Sequence, residues 1–146
     1  MIERLRRVVY FLPLLAALAA SLPGAVLAQA GAAKLRAVIQ VSDADPAKWN
    51  LTLNNAKNVQ DDLGSESVDL EIVVYGPAIG MLKGDSPVAK RIADALKSGV
   101  KVVACENTMK AQKLVHADML PGIGYVPAGV VELMKKQHEG YAYIRP

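Results

Sequence analysis

The segment Val100-Lys101-Val102-Val103-Ala104-Cys105-Glu106-Asn107-Thr108-Met109 constrains this chain most, because it carries the only cysteine at the end of a strand-like run. Four of the five residues before Cys105 are apolar, the pattern of a strand covered on both faces in a parallel sheet, and a short helix-like segment follows. Cys105 is therefore expected at a strand's carboxyl end, the edge where open α/β sheets bind ligands. Backbone amides opening the next helix favour a thiolate there, whereas the neighbouring Glu106 opposes it. A free cysteine used as a small buried hydrophobe is the competing reading.

The rest of the chain alternates strands and helices around this segment. Leu35 to Val41 reads as a first strand, followed by Asp45 as a helix cap and Pro46 in the first turn. Trp49, Leu53, Ala56 and Leu63 then recur at helical spacing until Gly64, with Trp49 expected in the core. Leu70 to Tyr75 is a second strand broken by Gly76-Pro77, and Val88, Ile92, Ala95 and Leu96 mark a helix that Ser86-Pro87 opens and Gly99 closes. Between them, Ile79-Gly80-Met81-Leu82 suits either a buried loop over the strand ends or a subunit contact. After Cys105, Asn107 or Thr108 can cap the next segment. Pro121 to Val126 has room for a short strand. A last helix begins at Pro127, with Val130, Val131, Leu133 and Met134 expected to face the core, and Tyr141 to Ile144 is a final strand. This alternation predicts a single α/β domain of three layers, with a mainly parallel sheet between helices.

The first 30 residues are expected to be a secretory signal peptide, with cleavage after Ala28 or Ala30. Arg4, Arg6 and Arg7 precede an apolar run from Val8 to Ala20, and Val26-Leu27-Ala28 and Ala28-Gln29-Ala30 are small-residue cleavage sites. The alternative is an uncleaved anchor, against which Pro13, Pro23 and Gly24 argue. Residues 31–146 then form the folded domain, periplasmic or secreted, with no membrane contact after cleavage. The whole chain has 17 basic and 14 acidic residues; the segment carries three arginines and one glutamate, so 14 and 13 remain, a net charge of +1. The basic balance is thus no argument for a nucleic-acid partner. One cysteine in an exported chain makes no internal disulfide and points to a reactive thiol or an intermolecular pair.

The carboxyl ends of parallel strands share one edge, which gathers Ser42, Asp43 and Asp45, then Tyr75 to Pro77, then Cys105 to Thr108. Of these, Cys105 is the candidate nucleophile, and Ser42, Asp43, Tyr75, Asn107 and Thr108, with Asn54, are the candidate pocket residues. Cys105, His116 and His138 have no zinc-site spacing, so no metal is expected. Gly122-Ile123-Gly124 lacks the further glycine or the lysine of a nucleotide loop, so no cofactor is expected. His116 and His138 read as surface histidines rather than bases for Cys105.

Val102-Val-Ala-Cys105-Glu-Asn-Thr-Met, Leu120-Pro-Gly-Ile-Gly-Tyr-Val-Pro-Ala-Gly-Val-Val-Glu-Leu and Glu139-Gly-Tyr-Ala-Tyr-Ile-Arg-Pro together resemble the DsrE/DsrF-like sulfur-relay family, as do Asp43-Ala-Asp-Pro-Ala-Lys-Trp-Asn and Asn54-Asn-Ala-Lys-Asn. The resemblance implies a compact α/β domain with a central, mainly parallel five-stranded sheet of flavodoxin-like wiring, and assembly as homotrimers, hexamers or hetero-oligomers. It also implies that a cysteine matching Cys105 carries sulfur as a persulfide between donor and acceptor proteins. Sulfur-relay members work in the cytoplasm, whereas this chain carries an export signal. The expectation is a sulfur carrier or sulfurtransferase-like thiol protein acting through Cys105. The alternative is a non-catalytic, oligomeric small-ligand-binding module in which Cys105 only packs.

Overall fold

The computed structural model describes residues 33–146. The expected signal segment, residues 1–30, lies outside the described residues. No helix among the described residues is long and apolar enough to cross a membrane.

Five strands form one sheet: β1 (Leu35–Val41), β2 (Val68–Val74), β3 (Lys101–Cys105), β4 (Gly124–Val126) and β5 (Ala142–Ile144). Four helices accompany them: α1 (Pro46–Leu63), α2 (Ala89–Lys97), α3 (Glu106–Ala111) and α4 (Gly129–His138). Every strand pair is parallel, and the order across the sheet is β4-β3-β2-β1-β5. This order differs from the 2-1-3-4-5 of flavodoxin. From β1 to β4 each step moves one strand in the same direction, and the final connection returns across the whole sheet. Right-handed crossovers therefore put α1 and α2 on one face and α4 on the other.

The local chemistry follows the sequence closely at the starts and stops. Asp45 caps α1, accepting from the Ala47 amide at 2.8 Å, and Gly64 ends it at φ +86°. Trp49 is buried and donates its indole N–H to the Asp43 carbonyl at 2.7 Å. Ser86-Pro87-Val88 forms a turn, and α2 begins only at Ala89. The segment Gly76–Leu82 is a 3-10 stretch whose Ile79, Met81 and Leu82 are fully buried within the domain, as the buried-loop reading expects.

The two faces of the sheet are unequal. Ile39, Ile72, Val74 and Val102 join Leu53, Ala56, Ile92 and the 3-10 stretch in the large apolar core. The α4 face holds a small apolar cluster of Val38, Val73, Leu133 and Tyr141. Beside it stands a charged one: Lys136 lies 3.3 Å from Glu71, 3.6 Å from Glu139 and 3.8 Å from Glu132. Glu71 is 4 % exposed and its Oε1 has no hydrogen-bond partner. Burial pushes its carboxyl up, against the opposing pull of Lys136. Because α4 rests through Gly129, Leu133 and Lys136, only part of its expected apolar face is buried: Val130, Val131 and Met134 are 53, 46 and 65 % exposed.

Tyr141 ties this layer together, donating its hydroxyl to Asp69 at 2.5 Å while Lys101 holds the same carboxylate at 3.0 Å. Burial and the bond to Asp69 push the Tyr141 hydroxyl up to about 12. A folded-state value raised above the ordinary tyrosine value of about 10 stabilises the fold below that pH, and the contribution is lost as pH rises towards about 12. Urea unfolding should therefore show the wild type more stable than Tyr141→Phe at pH 8, with the gap shrinking between about pH 10 and 12. A gap independent of pH would show that the hydroxyl is not held this way.

Candidate functional site

Alternation along β3 puts Cys105 on the same face as Val103, the α4 face, at the strand's carboxyl end. α3 starts directly after it, at Glu106, so Asn107 and Thr108 lie inside the first turn and neither serves as the expected cap. On the other side stands the first residue of α4. A Cβ on Gly129 would lie 3.0 Å from Cβ of Tyr75 and 3.1 Å from its Cδ1. A side chain there would make Tyr75 or α4 give by a few tenths of an ångström, so the glycine lets the helix start this close to the sheet edge.

The result is a set of donors around the sulfur. Burial pushes the Cys105 thiol up, but the Thr108 hydroxyl and the backbone amides of Gly129, Thr108 and Asn107 outweigh it, so the thiol sits below its ordinary value. The Asn107 amide is shared, since it also donates to the Pro127 carbonyl at 3.1 Å. The Thr108 hydroxyl is better placed. Its oxygen accepts from the Gly76 amide at 2.9 Å, which leaves its proton free to point at the sulfur. The Glu106 carboxylate, expected to oppose the thiolate, faces His116 at 3.5 Å.

Tyr75 and Ser42 stand on the far side of Gly129. Burial pushes the Tyr75 hydroxyl up, with Ser42 as a hydrogen-bond partner. Gln40 donates to the Ser42 hydroxyl at 3.1 Å and accepts from the Tyr143 hydroxyl, which makes a polar row along the sheet edge. Asp43 is occupied, paired with Lys48 at 3.0 Å. Cys105, Thr108, Asn107, Tyr75 and Ser42 thus share one edge, with Asp43 at its margin. Asn54 does not join them. It sits on α1 and accepts from Arg91 of α2 at 2.6 Å, across the sheet from the sulfur.

The histidines stay apart from the thiol. His116 stacks on Tyr125 with ring centroids 3.7 Å apart, and His138 ends α4, whose other end is the one at Cys105. Among the described residues no three His, Cys, Asp or Glu side chains gather as a metal site. Cys105 itself is free and 5 % exposed. Two further contributors are Gly76, which lies in the Tyr75 to Pro77 stretch expected at this edge without being named a pocket residue, and Gly129, to which the sequence did not point. Each is a glycine at the junction of a strand with the next turn or helix, where a backbone group must come close.

The model of the DsrE/DsrF-like family matches residues 35–146. This chain belongs to that family. A protein of unknown function from Methanobacterium thermoautotrophicum, MTH1491, is 34 % identical, with 77 % of this chain and 100 % of that one covered at a TM-score of 0.74. BT1422 from Bacteroides thetaiotaomicron, also of unknown function, is 16 % identical with a TM-score of 0.63, covering 76 % of this chain and 94 % of its own. The ychN protein from E. coli is 15 % identical with a TM-score of 0.62, covering 78 % of this chain and 99 % of its own. The last two share the fold. None of the curated proteins matches this sequence.

Removing a donor from the thiolate should raise the thiol's pKa towards the ordinary range. Thr108→Val and Gly129→Ala are each expected to slow alkylation of Cys105 by iodoacetamide at pH 7 by about tenfold, since a hydrogen bond to a charged group is worth about 1.5–3 kcal/mol. The rate difference should close at pH 10, where both thiols are ionised. Equal rates at pH 7 would remove these groups from the site.

Proposed function

We propose that this DsrE/DsrF-like protein is an exported sulfur carrier that holds sulfane sulfur on Cys105. Membership of the DsrE/DsrF-like family suggests a sulfur-relay type of protein, and the observation that carries the reading is the place of the single cysteine, at the carboxyl end of β3 with α3 starting directly after it. The Cys105 thiolate attacks the outer sulfur of a persulfide or polysulfide donor. The new Cys105 S–S bond forms, the donor's S–S bond breaks, and the donor leaves as a thiolate with the electron pair. The acidic persulfide stays ionised against the Thr108 and Gly129 donors. An acceptor thiolate then attacks the terminal sulfur and Cys105 leaves as a thiolate. Ser42, Tyr75 and Asn107 form the wall that the donor meets.

The N-terminal basic and apolar run supports export, with cleavage after Ala28 or Ala30 leaving residues 31–146. Intact-mass spectrometry after incubation with polysulfide should show a gain of about 32 Da, one sulfur atom, lost on adding dithiothreitol and absent in Cys105→Ser. The burial of the sulfur favours a second reading, an oligomeric ligand-binding module in which Cys105 packs. Absence of the mass gain together with slow alkylation at neutral pH would select it.

Either reading includes a self-associating chain, as the family resemblance implies. Val130, Met134 and Val131 present a contiguous apolar stripe on α4, beginning one residue after Gly129. A second copy covering that stripe would stand beside the Cys105 edge. Sedimentation should give a trimer or hexamer for the wild type and a smaller species for Val130→Glu with Met134→Glu; the variant's retention of the wild-type assembly would move the interface elsewhere.

A further inference from the structure

The face of the molecule away from Cys105 holds a second feature that the sulfur chemistry does not use. α1 and α2 diverge over the large core and leave between them an open cavity of about 300 Å³. Its floor is apolar: Leu53, Ala56 and Val100 are buried there, with Ala95 beside them. One end is closed by a self-satisfied pair, in which Gln60 donates to the Ser98 carbonyl at 2.8 Å and the Ser98 hydroxyl donates to Gln60 at 2.9 Å.

The charges around this floor do not cancel. Asp61 already has Lys57 at 2.5 Å, and Asp94 has Lys90 at 3.3 Å. Arg91 has no carboxylate within salt-bridge distance among the described residues. Its guanidinium is held by neutral oxygens only, with Nη1 donating to Asn50 Oδ1 at 2.5 Å and Nη2 to Asn54 Oδ1 at 2.6 Å. Asn50 and Asn54 are four apart on α1, so they hold the guanidinium plane in place from one helix face. Of its five N–H groups, the one on Nε and one on Nη2 remain without an acceptor. A half-buried cation, fixed in orientation and without a counter-ion, therefore lines an apolar cavity.

We propose that this cleft binds a small organic monoanion, its carboxylate on Arg91 and its apolar body against Leu53, Ala56, Ala95 and Val100. The charge balance selects the class. A single negative charge is matched by the single uncompensated positive one, whereas a dianion such as phosphate would bring a second negative charge for which the cleft has no unpaired cation. The floor has no hydrogen-bond partners to offer a fully polar ligand, so an apolar body is needed to gain from it. A planar carboxylate also matches the fork geometry of a guanidinium. The site is independent of Cys105, since it lies on the opposite face of the sheet.

The test is a titration of the isotope-labelled protein, followed by amide chemical shifts, with sodium benzoate, benzamide and inorganic phosphate as probes. Benzoate should shift the amides of Leu53, Ala56, Ala95 and Val100 saturably, with a dissociation constant on the order of 10 mM or tighter for a ligand of this size. Benzamide has the same shape without the charge and should bind at least about tenfold more weakly, as should phosphate. Arg91→Gln retains donors for Asn50 and Asn54 and should cost benzoate about tenfold or more. The benzoate and benzamide comparison uses the wild type, so it stands even where the variant does not fold. No saturation by benzoate, equal binding of benzamide, or shifts centred on residues outside the cleft would each overturn the proposal. Cys105→Ser should bind benzoate as the wild type does, which separates this site from the sulfur-carrier reading.

Discussion

The close approach of Gly129 to Tyr75 sets the conditions for everything at the thiol. A methyl group on Gly129 would come to 3.0 Å from the Tyr75 Cβ, tighter than nine in ten real Cβ contacts, so Tyr75 or the helix would have to give by a few tenths of an ångström. Without one, the first turn of α4 sits down on the carboxyl end of β2 and its leading amide reaches Cys105 on the neighbouring strand. Gly76 acts in the same way from below, its amide fixing the Thr108 hydroxyl as a donor to the sulfur. At φ +59° it has a backbone conformation that a residue with a side chain rarely adopts. Two residues with no side chain thus act on the single cysteine of the chain, through backbone groups that cannot rotate away.

The wiring explains why α4 is the element that carries this role. Three successive steps in one direction place α1 and α2 together on one face, where a sheet of Ile, Val and Leu can bury them in one large core. The single returning crossover leaves α4 alone on the other face, over a strip that includes Asp69 and Glu71. Seating a helix there takes a cation, and Lys136 supplies it. A buried ion pair of this kind adds little net stability, because desolvation offsets most of the attraction. Leaving Glu71 Oε1 unpartnered costs about a further 1–3 kcal/mol. What the charges do is fix where α4 lies: a helix that slid along the sheet would leave Glu71 buried without Lys136. The position of Gly129 against Tyr75 depends on that seating, seven residues along the helix at Lys136.

Period and punctuation made most of the fold legible in the sequence. The apolar runs at Leu35–Val41 and Val100–Cys105, the Asp45-Pro46 start and the Gly64 stop are local signals, and the structure places them within a residue or two of expectation. Strand order is a different matter, because nothing in a strand's composition says which neighbour it takes; only a mainly parallel sheet followed from the alternation, and every pair is in fact parallel. The face of α4 was also hidden. Val130, Val131, Leu133 and Met134 are equally apolar in sequence, and which of them is buried depends on a charged strip contributed by β2, more than fifty residues earlier. Within the site, Cys105, Tyr75 and Ser42 came together because strand ends share an edge, while Asn54 lies one layer away on α1, where Arg91 takes it. Gly76 and Gly129 were read as a turn and as part of a helix start, since a glycine's contribution through its amide leaves no mark in composition.

Acidity and access pull against each other at this thiol. The amides that favour the thiolate do so because they crowd the sulfur, and the same crowding leaves Cys105 only 5 % exposed. A thiolate so enclosed meets slender reagents in preference to bulky ones, and a protein-borne sulfur reaches it only as a chain end or after a local opening. The first turn of α4 is the natural place for such an opening. Its leading residue buries no side chain, its neighbours Val130 and Val131 are half out in solvent, and the ionic anchor at Lys136 lies two turns further on. Lifting that turn would expose the sulfur and, in the same movement, withdraw the Gly129 amide that holds its charge. A thiolate's nucleophilicity rises as its pKa rises, so the sulfur would become a stronger attacking group at the moment it becomes reachable.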